Sequence, residues 1–101
     1  MNIPNKVRIG SMDYGVELTT KTLGLNGKVC YGIIDYEHHN IQINSEMQDE
    51  QGNEQTFLHE LMHGVIRERN LDLSNSNEET IVDEIAMGLH QVIKDNPEIF
   101  K

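Results

Sequence analysis

The chain has 101 residues, with 8 Lys and Arg against 17 Asp and Glu, so its formal charge is −9 with histidine neutral. A length near 100 residues suits one hydrophobic core, and a single domain over residues 1–101 is expected. The acidic balance repels phosphate backbones and anionic lipid, which sets nucleic-acid and membrane-surface roles aside. No run approaches the roughly 20 apolar residues needed to cross a bilayer, and Met1-Asn2-Ile3-Pro4-Asn5-Lys6 has no apolar signal segment, so a cytoplasmic location is expected. The lone Cys30 excludes an internal disulfide and a cysteine-rich metal site. It reads as a small apolar side chain buried on a strand.

In chain order, residues 6–9 and 14–18 alternate polar and apolar around Gly10-Ser11-Met12-Asp13, the pattern of two short strands and a turn. Residues 28–36 are rich in β-branched and aromatic side chains and read as one strand. Ile41-Gln42-Ile43-Asn44 alternates again, after Glu37-His38-His39-Asn40, and completes a second hairpin. The acidic stretch 46–54 contains Gly52 and lacks either period, as expected of a solvated connection. Residues 55–70 and 78–95 have helical spacing, separated by the polar Ser74-Asn75-Ser76-Asn77, and Pro97 stops the second helix. The expected fold is therefore α+β: a small, mainly antiparallel sheet from the first 45 or so residues, followed by two packed helices.

The chemistry concentrates in the first helix, at His59-Glu60-Leu61-Met62-His63, an H-E-x-x-H motif. Two imidazoles four residues apart project from one helical face and can share a tetrahedral Zn²⁺. Glu60 lies about 100° around the helix from His59 and cannot join that pair. It is placed instead to act on water beside the metal as a general base in the attack on a carbonyl. Leu58, Leu61, Met62, Val65 and Ile66 form an apolar stripe that the two histidines border. Ligands are wanted there, at the margin between a dry core and an opening.

A catalytic zinc needs a third protein ligand and an open position. Six residues beyond His63 a metzincin would carry another His; Arg69 stands there. The second helix offers Glu79 and Asp83, four residues apart, and His90 on the same side, so antiparallel packing can bring them opposite His59 and His63. Glu79 is the choice for third ligand, with Asp83 accepting a hydrogen bond from the far nitrogen of a liganding histidine. Glu79 has an alternative fate in the Ser76-Asn77-Glu78-Glu79 capping box. Asp83 and His90 stand as alternative ligands. His38 and His39 are adjacent in sequence, a poor geometry for one ion, and read as solvated. Tyr14, Tyr31, Tyr36 and His90 are candidate donors to a developing oxyanion, each tyrosine otherwise a packing residue.

The order of strands, H-E-x-x-H helix, polar loop and E-x-x-x-D helix resembles the zinc metallopeptidases whose third ligand is Glu. It is most similar to the ImmA/IrrE-like group of small bacterial and prophage proteins. The segment Gly32-Ile33-Ile34-Asp35 followed by Ile41-Gln42-Ile43-Asn44 resembles the extended region ahead of that group's motif helix. Glu79-Thr80-Ile81-Val82-Asp83-Glu84-Ile85-Ala86 resembles its later E-x-x-A-N-x-F-A motif at the first and last letters. The likeness spans about residues 30–95. It implies a zincin-like, gluzincin-type minimal domain, a Zn²⁺ cofactor and a peptide or protein substrate. In such peptidases a sheet edge beside the metal pairs with extended substrate, and Ile41 to Ile43 is the expected edge. The reading from a different class is a zinc-binding interaction protein of the same fold without catalysis.

Overall fold

The structure, a computed structural model, describes residues 1–100; Lys101, the last residue of the expected domain, lies outside them. β1 (Lys6–Ile9) and β2 (Met12–Thr19) form an antiparallel hairpin that pairs Ile9 with Met12. β3 (Leu23–Leu25) and β4 (Lys28–Cys30) form a second, separate hairpin through Asn26-Gly27, both left-handed at φ 54° and 78°. β5 (Gly32–Asp35) and β6 (Asn40–Asn44) follow, then helices α1 (Glu50–Glu68) and α2 (Glu78–Asp95). Pro97 does not merely follow α2; it opens a short 3-10 turn, Pro97–Phe100. No helix among the described residues is long and apolar enough to cross a membrane.

The fold is α+β, and its four-stranded sheet is mixed, in the order β1-β2-β6-β5. The two outer pairs are antiparallel, whereas β2 and β6 run parallel at the centre. The chain leaves β2, makes the β3–β4 hairpin, enters β5 at the far edge and returns as β6 into the slot beside β2. Ile41 and Ile43 are therefore interior, both 0% exposed, in keeping with the burial that parallel pairs require. The expectation that Ile41 to Ile43 forms the edge is corrected: β6 is interior, and the edge strands are β1 and, beside β6, β5. The stretch 28–36 is likewise two strands, interrupted at Tyr31, with β4 committed to its own hairpin.

Tyr14, Val16, Ile41 and Ile43 point to one face of the sheet, where they meet Phe57 and Leu58 of α1; Ala86 of α2 completes the cluster. α1 lies on the sheet and α2 packs on α1. Gly64 permits the approach of α1, because a Cβ there would fall 2.7 Å from Ile9 Cδ1 and 3.2 Å from Ile34 Cδ1. α1 also starts earlier than expected, within the supposed connection 46–54. Asp49 caps it, its Oδ1 accepting from Gly52 N at 2.8 Å, and Glu50 in the first turn complements the helix dipole. Asn70, at φ 53°, ends the helix in the left-handed conformation that usually falls to glycine. The cap of α2 is Asn77, whose Oδ1 accepts from Thr80 N, so the capping box on Ser76 is not formed and Glu79 is left for other partners. Cys30 is half-buried rather than buried.

Candidate metal centre

α1 presents His59 and His63 one turn apart toward α2, with ring centroids 4.9 Å apart. The polar loop between the helices turns the chain back, so the first turn of α2 meets them. Glu79 Oε1 lies 2.5 Å from His59 Nε2 and 3.1 Å from His63 Nε2. One ligand atom from each of His59, His63 and Glu79 thus converges, all within 4.8 Å of one another. The far nitrogens turn to further carboxylates. His63 Nδ1 is 2.8 Å from Glu78 Oε2, and His59 Nδ1 is 3.6 Å from Asp83 Oδ1, too long for a direct hydrogen bond.

The donor set could hold a divalent cation. A neutral imidazole carries one N–H, yet His63 faces a carboxylate oxygen with both nitrogens; one lone pair therefore opposes an anion unless a positive charge is supplied. Burial pushes the His63 imidazolium toward deprotonation, but the hydrogen bonds to Glu78 and Glu79 outweigh it and its pKa is raised. For Glu79 burial acts upward, and the hydrogen bond from His63 with the charge of His59 prevails to hold the carboxyl below its ordinary value. Two imidazole nitrogens and a carboxylate oxygen are a zinc donor set, in which tetrahedral ligands stand about 3.4 Å apart. Glu79 has room to draw back to that separation, since its side chain is 66% exposed.

Glu60 is buried at 7% exposure and makes no hydrogen bond to the described residues. Burial raises its pKa, the charges of His59 and His63 pull it down, Glu79 pushes it up, and the net shift is upward. It lies against Gly32 of β5. A Cβ at Gly32 would fall 2.6 Å from Thr56 Cγ2 and 3.4 Å from Glu60 Cγ, so glycine there lets the edge strand close on the motif helix. Between them runs a groove of about 910 Å³, walled by β5 on one side and by His59, Glu60, His63, Glu79 and Asp83 on the other. Asn44 N donates to Tyr31 O at 2.8 Å, and from that bond the antiparallel register alternates. Ile33 and Asp35 consequently pair with β6, while the backbone N–H and C=O of Gly32 and Ile34 face the open edge.

Not every candidate arrives at this groove. His90 is buried elsewhere between the helices, its Nε2 2.8 Å from Glu54 Oε1. Tyr14 is buried under the sheet and donates to Glu68 Oε2 at 2.6 Å. Tyr31 and Tyr36 do line the groove. His38 is exposed and bonded to Asp35, as expected of a solvated residue; His39 is instead half-buried, edge-on to Tyr14 at 5.1 Å. The roles of Glu78, bonded to His63, and of Gly32, against Glu60, were not evident from the sequence. The doubled Glu78-Glu79 was the available signal, because adjacent helical residues diverge by about 100° and can take the two nitrogens of one imidazole separately. No family model, curated protein or solved structure matches the chain.

Proposed function

We propose that the chain is a zinc-dependent peptidase with a zincin-like, Glu-ligand centre, akin to the ImmA/IrrE-like group. The observation that carries this reading is the convergence of His59 Nε2, His63 Nε2 and Glu79 Oε1 beside a buried carboxylate, Glu60, that takes no part in holding the others. His59, His63 and Glu79 would hold the ion, and Glu78 fixes the His63 ring through Nδ1. A zinc ion held there supplies Lewis acidity, polarising a carbonyl and acidifying water. Glu60 accepts the proton that the attacking water loses and returns it to the departing amine. Burial raises its pKa against the pull of the two imidazoles, which makes it a stronger base than an exposed glutamate. The outward N–H and C=O groups of Gly32 and Ile34 hold a peptide extended along the groove, independently of its side chains.

The test is a quenched-fluorescent peptide library offered to tag-free protein carrying one equivalent of zinc. Cleavage that a chelator abolishes and zinc restores supports the proposal. Full zinc occupancy with no cleavage of any member favours the interaction-protein reading.

A further inference from the structure

We infer that a recess beside the metal centre, walled by Arg67 and Tyr36, is a carboxylate-binding subsite of the groove; its use in substrate selection rests on the peptidase reading, its ligand chemistry does not. The recess is about 270 Å³, lined by Tyr36, Arg67 and Asn70 together with His63 and Glu78. Tyr36 and His63 also line the main groove, so the two spaces share a wall. Arg67 follows His63 by four residues and therefore projects from the same side of α1 one turn further on. Its guanidinium sits over the Tyr36 ring, 4.8 Å from the centroid, which holds a flexible cation in one place.

Charge makes the assignment specific. The groove is lined by Asp35, Glu37, Glu60, Glu79 and Asp83, and no Lys or Arg lines it among the described residues; in the recess Arg67 alone does. Arg67 makes no ion pair among the described residues. Glu78, which also lines the recess, is bonded to His63 Nδ1 at 2.8 Å rather than to Arg67, and Glu68 accepts from the Tyr14 hydroxyl at 2.6 Å. Arg67 also complements the carbonyl end of α1. That role requires neither the aromatic stack nor an open recess before the guanidinium. Tyr36 is a protonated donor across neutral pH, because burial and the charges of Glu78 and Glu60 raise its pKa against the opposing Arg67. A planar guanidinium is a fork for a carboxylate, and Tyr36 and Asn70, which line the same recess, add a hydroxyl and an amide as further donors. In a peptide that group is either the C-terminus or an Asp or Glu side chain.

The experiment is an NMR titration of the full-length chain, metal-free and again with one equivalent of zinc, following the Arg67 side-chain N–H and the Tyr36 ring. Three probes separate the sources: N-acetylglutamine carries only a terminal carboxylate, N-acetylglutamate α-amide only a side-chain carboxylate, and N-acetylglutamine amide neither. At least one carboxylate probe should shift both residues and bind about tenfold or more tighter than the neutral probe; which one does so names the source. Arg67→Gln should abolish that preference while zinc content stays unchanged, which also reports that the variant is folded. Equal affinity for all three probes, no binding of a carboxylate probe, or a preference that survives Arg67→Gln overturns the subsite. The metal-free titration involves no turnover, so this outcome is independent of whether the chain cleaves peptides.

Discussion

Two histidine–carboxylate contacts join α1 to α2, and they differ in kind. Near the start of α1, His90 meets Glu54 at 2.8 Å with both residues below 10% exposure, and the Met1 amino group stands 3.6 Å from the other oxygen of Glu54. One imidazole meets one carboxylate in a dry site, so the pair is complete as a strut. Further along, His59 and His63 face Glu78, Glu79 and Asp83 beside an open groove. There the acceptors outnumber the N–H groups that neutral imidazoles can offer. Surplus acceptors and access to solvent, rather than the residue types, separate a candidate ligand set from a structural contact.

The largest expected difference is in zinc affinity. His59→Ala or His63→Ala should weaken zinc binding by more than about 100-fold, the upper range already reached by losing an outer partner of a ligand, and should abolish thermal stabilisation by zinc. His90→Ala should leave zinc stoichiometry intact and cost about 1–3 kcal/mol of stability, because Glu54 loses its buried partner. Calorimetric titration and chemical denaturation of the same variants check both halves. Zinc loss in His90→Ala would merge the two contacts and break the comparison.

The sequence made the centre more legible than its surroundings. H-E-x-x-H and the Glu79/Asp83 spacing depend on helical period alone, and the α2 boundaries expected from that period, 78–95, are those observed. Which strand borders the groove is a different sort of fact. Ile41 and Ile43 alternate identically whether β6 is interior or at an edge, and spatial strand order is not written in any local pattern. The β3–β4 hairpin was signalled by Asn26-Gly27, the dipeptide of a tight primed turn, but flanking segments of three residues gave alternation too little length to register. The early start of α1 was hidden by Gly52 and by Glu54, a charged residue buried only because His90 arrives from 36 residues away.

The corrected edge strand makes a phased prediction. A substrate peptide N-methylated at alternate residues should lose about tenfold in affinity in one phase and little in the other, because only alternate amides can face Gly32 and Ile34. Equal sensitivity in both phases would remove β5 from the binding surface.

A smaller effect lies in pH. The raised pKa of His63 contributes stability that is fully present below about pH 6.5, its unfolded value, and is lost as pH rises through the folded value. Glu60, also raised, acts in the same direction from a lower starting pH. Metal-free protein should therefore lose stability between pH 6 and pH 8, whereas stabilisation by zinc should grow over that window as the ligands give up protons. Denaturation midpoints at both pH values, with chelator and with zinc, check the opposite signs. The buried strut has no such link to the metal, and His90→Ala should preserve the divergence.

The central claim is that Glu60 does chemistry at a centre that other residues hold. Its most direct test compares wild type with Glu60→Gln, each verified to carry one equivalent of zinc, on a peptide that the wild type cleaves. Glutamine keeps the size and hydrogen-bonding reach of the side chain but not its basicity, so the rate should fall about 100-fold or more at unchanged zinc content. A Glu60→Gln variant that cleaves at the wild-type rate would contradict the account.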